Sequence, residues 1–143
     1  MNVLMPAFAA ILVALHIAAG YLHFVATDQL PELPTPRAYL IEECEERGCD
    51  FALLDAIVTC ESKWIMVQNR QSSAHGYFQI LDSTERGTPQ YEAGRRKTNP
   101  YANIDMGVYL YERYGTSPWN ESKACWLTRY QAYRAASTVK SAD

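Results

Sequence analysis

Apolar residues recur at helical spacing along most of the chain. Between Phe51 and Val58 they follow a three- and four-residue spacing, which predicts the buried face of a helix that begins at Asp50 and runs up to Ser62. The same spacing over residues 103–114 predicts another helix. No stretch alternates apolar and polar residues over the length of a strand, so we predict an almost entirely α-helical fold.

Cap residues predict where two further helices begin. Thr35-Pro36 combines a capping side chain with a proline at the first helical position, and its helix should run to about Arg47 and end at Gly48. Ser117-Pro118 predicts the start of the last helix by the same signals, after a stop at Gly115. The residues that this last helix should turn inward are Ala124, Leu127 and Tyr130.

Residues 85–100 interrupt the helical pattern. They carry two glycines and two prolines, which predicts a long surface loop. We interpret its basic cluster, Arg95, Arg96 and Lys97, as a solvated rim, with contact to an anionic polymer as the alternative.

The first 27 residues contain no charged side chain. As a helix, Val3–Ala26 would span roughly 36 Å, enough to cross a hydrocarbon core of about 30 Å. We expect a retained membrane anchor at residues 3–26, with a cleaved secretory signal as the alternative; no Lys or Arg precedes the apolar run. On both interpretations the rest of the chain is exported. The Lys and Arg residues that follow the apolar run would ordinarily favour the cytoplasmic side of the membrane.

Prolines set the anchor apart from the remainder of the chain. Pro31, Pro34 and Pro36 favour an extended spacer over a helix. With 143 residues in total, the chain has room for one domain with a modest core. The predicted segments are an anchor or signal at 1–27, a spacer at 28–36, one domain at 37–135 and a flexible tail at 136–143.

The overall charge argues against one class of partner. The formal net charge is −3, with no basic footprint for DNA or RNA, so we expect no nucleic-acid partner. The ten tyrosines and three tryptophans fit a carbohydrate-binding surface, because such rings offer a flat apolar face with a polar tip. A small core built from large residues explains them equally well.

The four cysteines stand at positions 44, 49, 60 and 125. An even number in a short chain favours a disulfide framework in an oxidising compartment. Zinc is the competing interpretation, but the sequence lacks C-x-x-C pairs, and His16, His23 and His75 do not have metal-ligand spacing. We therefore expect no metal and no cofactor.

Glu61 is the candidate catalytic residue. It stands four residues after Ile57 at the end of a predicted helix, where burial and the helix dipole both disfavour a carboxylate. A carboxyl that stays protonated can donate a proton to a glycosidic oxygen. Glycosidases usually need a second carboxylate, and residues 62–81 offer none, although Glu85 or Asp105 could fold in. The lack of a second carboxylate in residues 62–81 fits substrate-assisted chemistry, in which the N-acetyl group of the sugar stabilises the positive charge. The alternative is that Glu61 is simply a solvated glutamate without a catalytic role.

Three motifs in register resemble the lysozyme-like lytic transglycosylases. That family has a helix ending in Glu-Ser, here Glu61-Ser62, and then a Gly-Ala-x-Gly-Leu-x-Gln motif, here Ser73–Gln79. A helix of the type Asn-Ile-x-x-Gly-x-x-Tyr-Leu follows, here Asn103–Leu110. The resemblance covers roughly Asp50 to Trp126 and implies a small, mainly helical domain of the α+β lysozyme-like superfamily.

The Cys60-Glu61-Ser62 segment also resembles resuscitation-promoting factors, a related group in which this cysteine pairs with one near the end of the domain. The resemblance implies a Cys60–Cys125 disulfide and leaves Cys44–Cys49 as a short pair. Two other connectivities remain open.

The resemblance implies a peptidoglycan substrate and a role for several residues. Glu61 would protonate the bond between N-acetylmuramic acid and N-acetylglucosamine and then deprotonate the muramic C6 hydroxyl, which gives a 1,6-anhydro end. The implied substrate-binding residues are Ser62, Ser73, Tyr77, Phe78, Gln79, Asn103 and Trp126. Core packing is the alternative for Tyr77 and Phe78.

Two departures from the family pattern affect the reaction more than the fold. Ser73 and Tyr77 replace a glycine and a leucine, and the family's cleft tyrosine has no counterpart, so Trp126 or Tyr130 would have to substitute. A hydrolytic lysozyme on the same fold and a non-catalytic glycan-binding or structural module of an envelope or virion are the rival functions. A bacterial maintenance enzyme, a secretion-machine component and a phage protein all fit the sequence.

Overall fold

The computed structural model describes residues 32–140, with side chains to residue 138. Contacts divide the chain into two units, Met1–Leu33 and Pro34–Asp143, and the described part of the second is mostly helical. It contains no strand, only isolated bridges that join His75 to Gln68 and to Ile80. The helices are α1 (Pro36–Arg47), α2 (Phe51–Glu61), α3 (Asp82–Glu85), α4 (Pro89–Glu92), α5 (Pro100–Tyr114), a 3-10 helix (Ser117–Ser122) and α6 (Lys123–Lys140).

No helix among residues 32–140 is long and apolar enough to cross a membrane. The predicted anchor at residues 3–26 and the end of the predicted tail, residues 141–143, lie outside the described residues.

The predicted bounds of α1 and α2 are confirmed, because local caps set them. The Thr35 hydroxyl accepts a hydrogen bond from the Ala38 N–H, and α1 ends at Gly48, whose φ of +70° is left-handed. The Asp50 side chain then accepts from the Leu53 N–H and starts α2. A Cys44–Cys49 disulfide spans the turn between the two helices.

Helix α5 is the centre of the domain. Every residue from Ala102 to Val108 is buried, and α1 and the 3-10 helix pack against α5. It begins three residues before the predicted start, because Asn99 caps it through the Ala102 N–H and Pro100 occupies the first helical position. On another side of the domain, α2 packs against α6, and their contact includes the second disulfide, Cys60–Cys125.

The prediction that residues 85–100 form a surface loop is wrong in part. This segment contains the short helix α4, and Glu85, Thr88 and Lys97 are buried. The predicted solvated rim is therefore wrong for Lys97, whereas Arg95 and Arg96 are exposed.

The last helix also starts later than predicted. Ser117-Pro118 begins the 3-10 helix, which kinks at Trp119, and α6 begins only at Lys123. Leu127 and Tyr130 pack partly buried against the core, as predicted, whereas Ala124 is exposed. Among residues 123–138, the buried side chain is Trp126. Helix α6 continues to Lys140, so residues 136–140 of the predicted tail are helical.

Candidate functional site

Glu61 ends α2 and lies four residues after the fully buried Ile57, so its side chain leaves the helix beside the core. It is partly buried, and the Ser122 hydroxyl donates a hydrogen bond of 2.5 Å to its Oε1. Burial raises the pKa of the Glu61 carboxyl above its usual value, and the hydrogen bond from Ser122 opposes that rise. A carboxyl in this setting retains its proton to a higher pH than a solvated glutamate does.

The second carboxyl oxygen of Glu61 has a different environment. No described residue donates a hydrogen bond to Oε2. The buried side-chain polar atoms without a partner in the described chain are His75 Nδ1 and Gln90 Oε1, so Oε2 is in contact with solvent. One oxygen of Glu61 is thus held by the protein, and the other is free to meet a ligand.

The Cys60–Cys125 disulfide brings Ser122 to Glu61. Its Cα atoms are 6.1 Å apart, which joins the last turn of α2 to the start of α6. Ser122 ends the 3-10 helix three residues before Cys125, just as Glu61 directly follows Cys60. Sequence reasoning missed Ser122, and this adjacency to the two cysteines is the signal that would have found it.

The chain turns sharply directly after the site. Lys63 and Trp64 both have positive φ, +56° and +61°, a region in which a residue with a side chain is strained. The turn lets the Trp64 indole donate to Asp55 on α2 and pack against Tyr77, with ring centroids 5.3 Å apart. Residues 62–80 are thereby folded back toward α2.

Asn103 holds this loop to α5. Its Oδ1 accepts from the Phe78 N–H, and its Nδ2 donates to the carbonyls of His75 and Lys97. Gly76 is required beside it, because a Cβ there would lie 2.1 Å from Asn103 Nδ2. We call Asn103 and its three partners, His75, Phe78 and Lys97, the Asn103 clamp.

Lys97 also holds this loop, through its side-chain ammonium. Its ammonium donates to the carbonyls of Ser73 and Ile80 and to the carboxylate of Asp82, at 2.6, 2.8 and 2.5 Å. Its own backbone N–H donates to the buried carboxylate of Glu85. The two ends of the Ser73–Ile80 turn are therefore tied to one buried cation.

A chain of hydrogen bonds links the clamp to the glutamate. The Trp119 indole donates to the Phe78 carbonyl, and the Trp119 carbonyl accepts from Trp126 Nε1 and lies 3.2 Å from Ser122 Oγ. Because Ser122 also reaches Glu61, the loop, the 3-10 helix and the end of α2 are mechanically connected.

Three of the predicted substrate-binding side chains belong to the core instead. Phe78 has no exposed surface and Trp126 has 4% of its surface exposed, with its indole bonded to Trp119, so neither ring can line a cleft. Ser62 is buried and donates to the Val58 carbonyl of its own helix. Tyr130, the other candidate for the family's cleft tyrosine, donates to Asp50 at the opposite end of α2.

The remaining predicted residues hold the loop together. Asn103 is the clamp residue, and the Gln79 amide donates to the carbonyls of Val67 and Gly76. The Ser73 hydroxyl accepts from the Asp82 N–H. Tyr77, with 7% of its surface exposed, belongs to the core and also borders an open cavity of about 460 Å³.

That cavity lies between the start of α1 and α2. Its lining includes Arg37 and Asp55, which form an ion pair, together with Thr59, Trp64 and Tyr77. Glu61 lines neither this cavity nor the smaller one of about 70 Å³ beside Phe78 and Trp119.

Two other carboxylates were candidates to act with Glu61. Glu85 is bonded to the Lys97 backbone, and Asp105 accepts from the Tyr39 hydroxyl and pairs with Arg95. Neither contributes to the pKa shift of Glu61. Residues 32–140 also contain no group of three or more His, Cys, Asp and Glu side chains arranged to hold a metal ion.

Comparison of the chain with known protein families, with characterised proteins and with solved structures gives no match.

Proposed function

We propose that this chain is an exported, lysozyme-like enzyme that cleaves peptidoglycan as a lytic transglycosylase, with Glu61 as its single acid–base residue. The observation that carries the proposal is the state of Glu61. It is a partly buried carboxyl with a raised pKa, and one of its oxygens is held while the other is open to solvent. This is the condition that a proton donor to a leaving group requires.

In the proposed reaction, protonated Glu61 donates to the glycosidic oxygen as the bond from muramic C1 to that oxygen breaks. The N-acetyl group of the muramic sugar stabilises the positive charge that develops at C1. The Glu61 carboxylate then takes the proton of the C6 hydroxyl, and O6 bonds to C1. The products are a free 4-hydroxyl on N-acetylglucosamine and a 1,6-anhydro muramic end, and the enzyme regains its proton.

Among residues 32–138, no second carboxylate contributes to the pKa of Glu61, which favours this reaction over hydrolysis. An inverting or retaining hydrolase places two carboxyl groups roughly 5 to 9.5 Å apart across the scissile bond. Glu85 and Asp105 are each committed to partners of their own. The hydrolytic lysozyme is therefore the weaker of the two enzymatic candidates.

A non-catalytic glycan-binding or structural module is the second candidate. It is favoured by the absence of Glu61 from the linings of the 460 Å³ and 70 Å³ cavities, and by the burial of Phe78 and Trp126. On this alternative the Glu61 carboxyl is a feature of the packing between α2 and the 3-10 helix.

The test is a digest of purified peptidoglycan by the full-length chain in mild detergent, with mass spectrometry of the soluble fragments. We expect anhydro-muropeptides, and we expect Glu61→Gln to lower their release at least about 100-fold. The matched control is Glu121→Gln, because Glu121 is an exposed glutamate next to Ser122 and should leave activity unchanged. Reducing ends would assign a hydrolase, and release that persists in Glu61→Gln would remove Glu61 from the mechanism.

The proposed location is the periplasm or another extracytoplasmic space, with residues 3–26 as a membrane tether or a cleaved signal. The two disulfides support an oxidising compartment. A larger secretion or virion assembly is a further proposed partner besides the glycan strands and the membrane.

A further inference from the structure

The Ser122 hydroxyl has two acceptors and only one proton. Its oxygen lies 2.5 Å from Glu61 Oε1 and 3.2 Å from the Trp119 carbonyl. The Trp119 carbonyl already accepts a hydrogen bond of 2.9 Å from the Trp126 indole. Because the contact with Glu61 is shorter and its acceptor carries the charge, the hydroxyl proton is directed at Glu61.

A proton that adds to Glu61 therefore favours the other oxygen. The Ser122 hydrogen bond takes one of the two lone-pair sites of Oε1 and draws electron density from that oxygen, whereas both sites of Oε2 are free. Oε2 is the oxygen that has no partner in the described chain and contacts solvent. A proton on Oε2 faces outward, where a bound ligand would meet it.

We propose that Ser122 is a positioning residue, whose hydroxyl places the acidic proton of Glu61 on the outward-facing Oε2 and stabilises the carboxylate when that proton leaves. The inference rests on the proposed function, since it assigns Ser122 a part in the proton transfer made by Glu61. A hydrogen bond to a carboxylate is stronger than one to a neutral acid, so the bond gains strength as the proton is donated.

The position of Ser122 supports this role over a purely structural one. The Trp119 carbonyl has its own donor in Trp126, so the kink of the 3-10 helix does not need the serine hydroxyl. Among residues 32–138, no charged side chain contributes to the pKa of Glu61, whereas Ser122 does. A substitution at Ser122 therefore tests the hydrogen bond to Glu61 without changing a charge that acts on it.

The experiment compares Ser122→Thr with Ser122→Val in the full-length chain in mild detergent. These side chains have nearly the same shape and differ by a hydroxyl against a methyl group. Two quantities are measured: the pKa of Glu61, from NMR titration of carboxyl-labelled glutamate, and the pH profile of anhydro-muropeptide release. Ser117→Ala, at an exposed serine of the same 3-10 helix, is the control.

For Ser122→Val we expect a higher pKa of Glu61, because the bond that favours the charged form is lost. The alkaline limit of activity should move to higher pH, and kcat should fall about tenfold, less than in Glu61→Gln because the acid remains. Ser122→Thr and Ser117→Ala should stay close to the wild type. If Ser122→Val does not fold, the smaller Ser122→Ala makes the same comparison.

The outcomes separate the two proposals. Equal Glu61 pKa values and equal pH profiles in the Thr and Val variants of an active enzyme would overturn the role of Ser122 and leave the proposed function intact. A wild-type chain that releases no muropeptides would overturn the proposed function, and the positioning role would fall with it.

Discussion

The Asn103 clamp and the Glu61–Ser122 pair both take polar groups out of bulk water, but they do so in opposite ways. At the clamp, the amide oxygen of Asn103 and both hydrogens of its nitrogen have backbone partners, and the residue is fully buried. At Glu61, one oxygen has a donor, the other has none among the described residues, and burial has raised the pKa of the carboxyl. A fully satisfied polar residue fixes a loop, whereas a half-satisfied carboxyl is left ready to exchange a proton.

The difference also shows in how each region is tied to the rest of the domain. The clamp is one of several attachments of its loop, since the Lys97 ammonium and the Gln79 amide hold the same turn. The Glu61 end of α2 is tied to the 3-10 helix by the hydrogen bond from Ser122 and, one residue earlier, to α6 by the Cys60–Cys125 disulfide. We therefore expect covalent and clamp variants to affect stability most, and changes at Glu61 to affect stability least.

The largest expected effect is the loss of the Cys60–Cys125 disulfide. The double variant Cys60→Ser/Cys125→Ser should lose about 4 kcal/mol of unfolding free energy, because the bond closes a long loop with a sequence separation of 65. The matched variant Cys44→Ser/Cys49→Ser should lose only about 2 kcal/mol, since its separation is 5. Urea unfolding of both measures the difference, and equal losses would contradict the loop-length argument.

The next effect comes from the clamp itself. Asn103→Ala leaves the Phe78 N–H and the carbonyls of His75 and Lys97 without their partner in the core, which should cost about 3 kcal/mol. Thermal unfolding measures this loss. Asn120→Ala is the control, because Asn120 is exposed and should change stability by less than about 0.5 kcal/mol. Comparable losses in the two variants would show that the amide of Asn103 is not a clamp.

A steric test of the same region uses Gly107→Ala. A Cβ at position 107 would lie 2.2 Å from the Phe78 ring, so the ring or α5 must shift, at a cost of about 2 to 3 kcal/mol. Gly87→Ala is the control, because a Cβ there meets only the Thr84 carbonyl at 3.5 Å, an ordinary contact. Chemical unfolding of both variants decides the point, and an unaffected Gly107→Ala would mean that Phe78 has room to move.

Local chemistry explains which parts of the fold were predictable from the sequence. Thr35, Gly48 and Asp50 set helix bounds through their own side chain or backbone, so the pattern of residues alone located α1 and α2. The same signals predicted the start of α6 too early. Ser117-Pro118 does start a helix, but that helix is kinked at Trp119, whose indole bonds to the carbonyl of Phe78, far away in sequence.

The candidate site was less predictable, because its parts meet only in the folded chain. Glu61 was identifiable from its position beside Ile57 at a helix end. The burial of Lys97 was not identifiable, because it depends on two carbonyls of a turn that is distant in sequence. In the sequence, the Arg-Arg-Lys run that contains Lys97 looks like any solvated basic cluster. Ser122 has no sequence signature of its own apart from its distance to Cys125.

The smallest expected effect concerns the pH dependence that Glu61 gives to stability. Its native pKa lies above the ordinary value of 4.5, so between those two values the folded state binds more protons than the unfolded state. The contribution of Glu61 is therefore fully present below about pH 4.5 and is lost as the pH rises through the native pKa. Glu61→Gln stays uncharged and keeps an oxygen that can accept from Ser122. Its stability relative to the wild type should therefore be higher at pH 8 than at pH 4, by less than about 1 kcal/mol. Urea unfolding at both pH values measures the gain, with the exposed Glu121→Gln as a control that should show none; a gain that shrinks toward pH 8 would mean that the Glu61–Ser122 pair is as fully satisfied as the clamp.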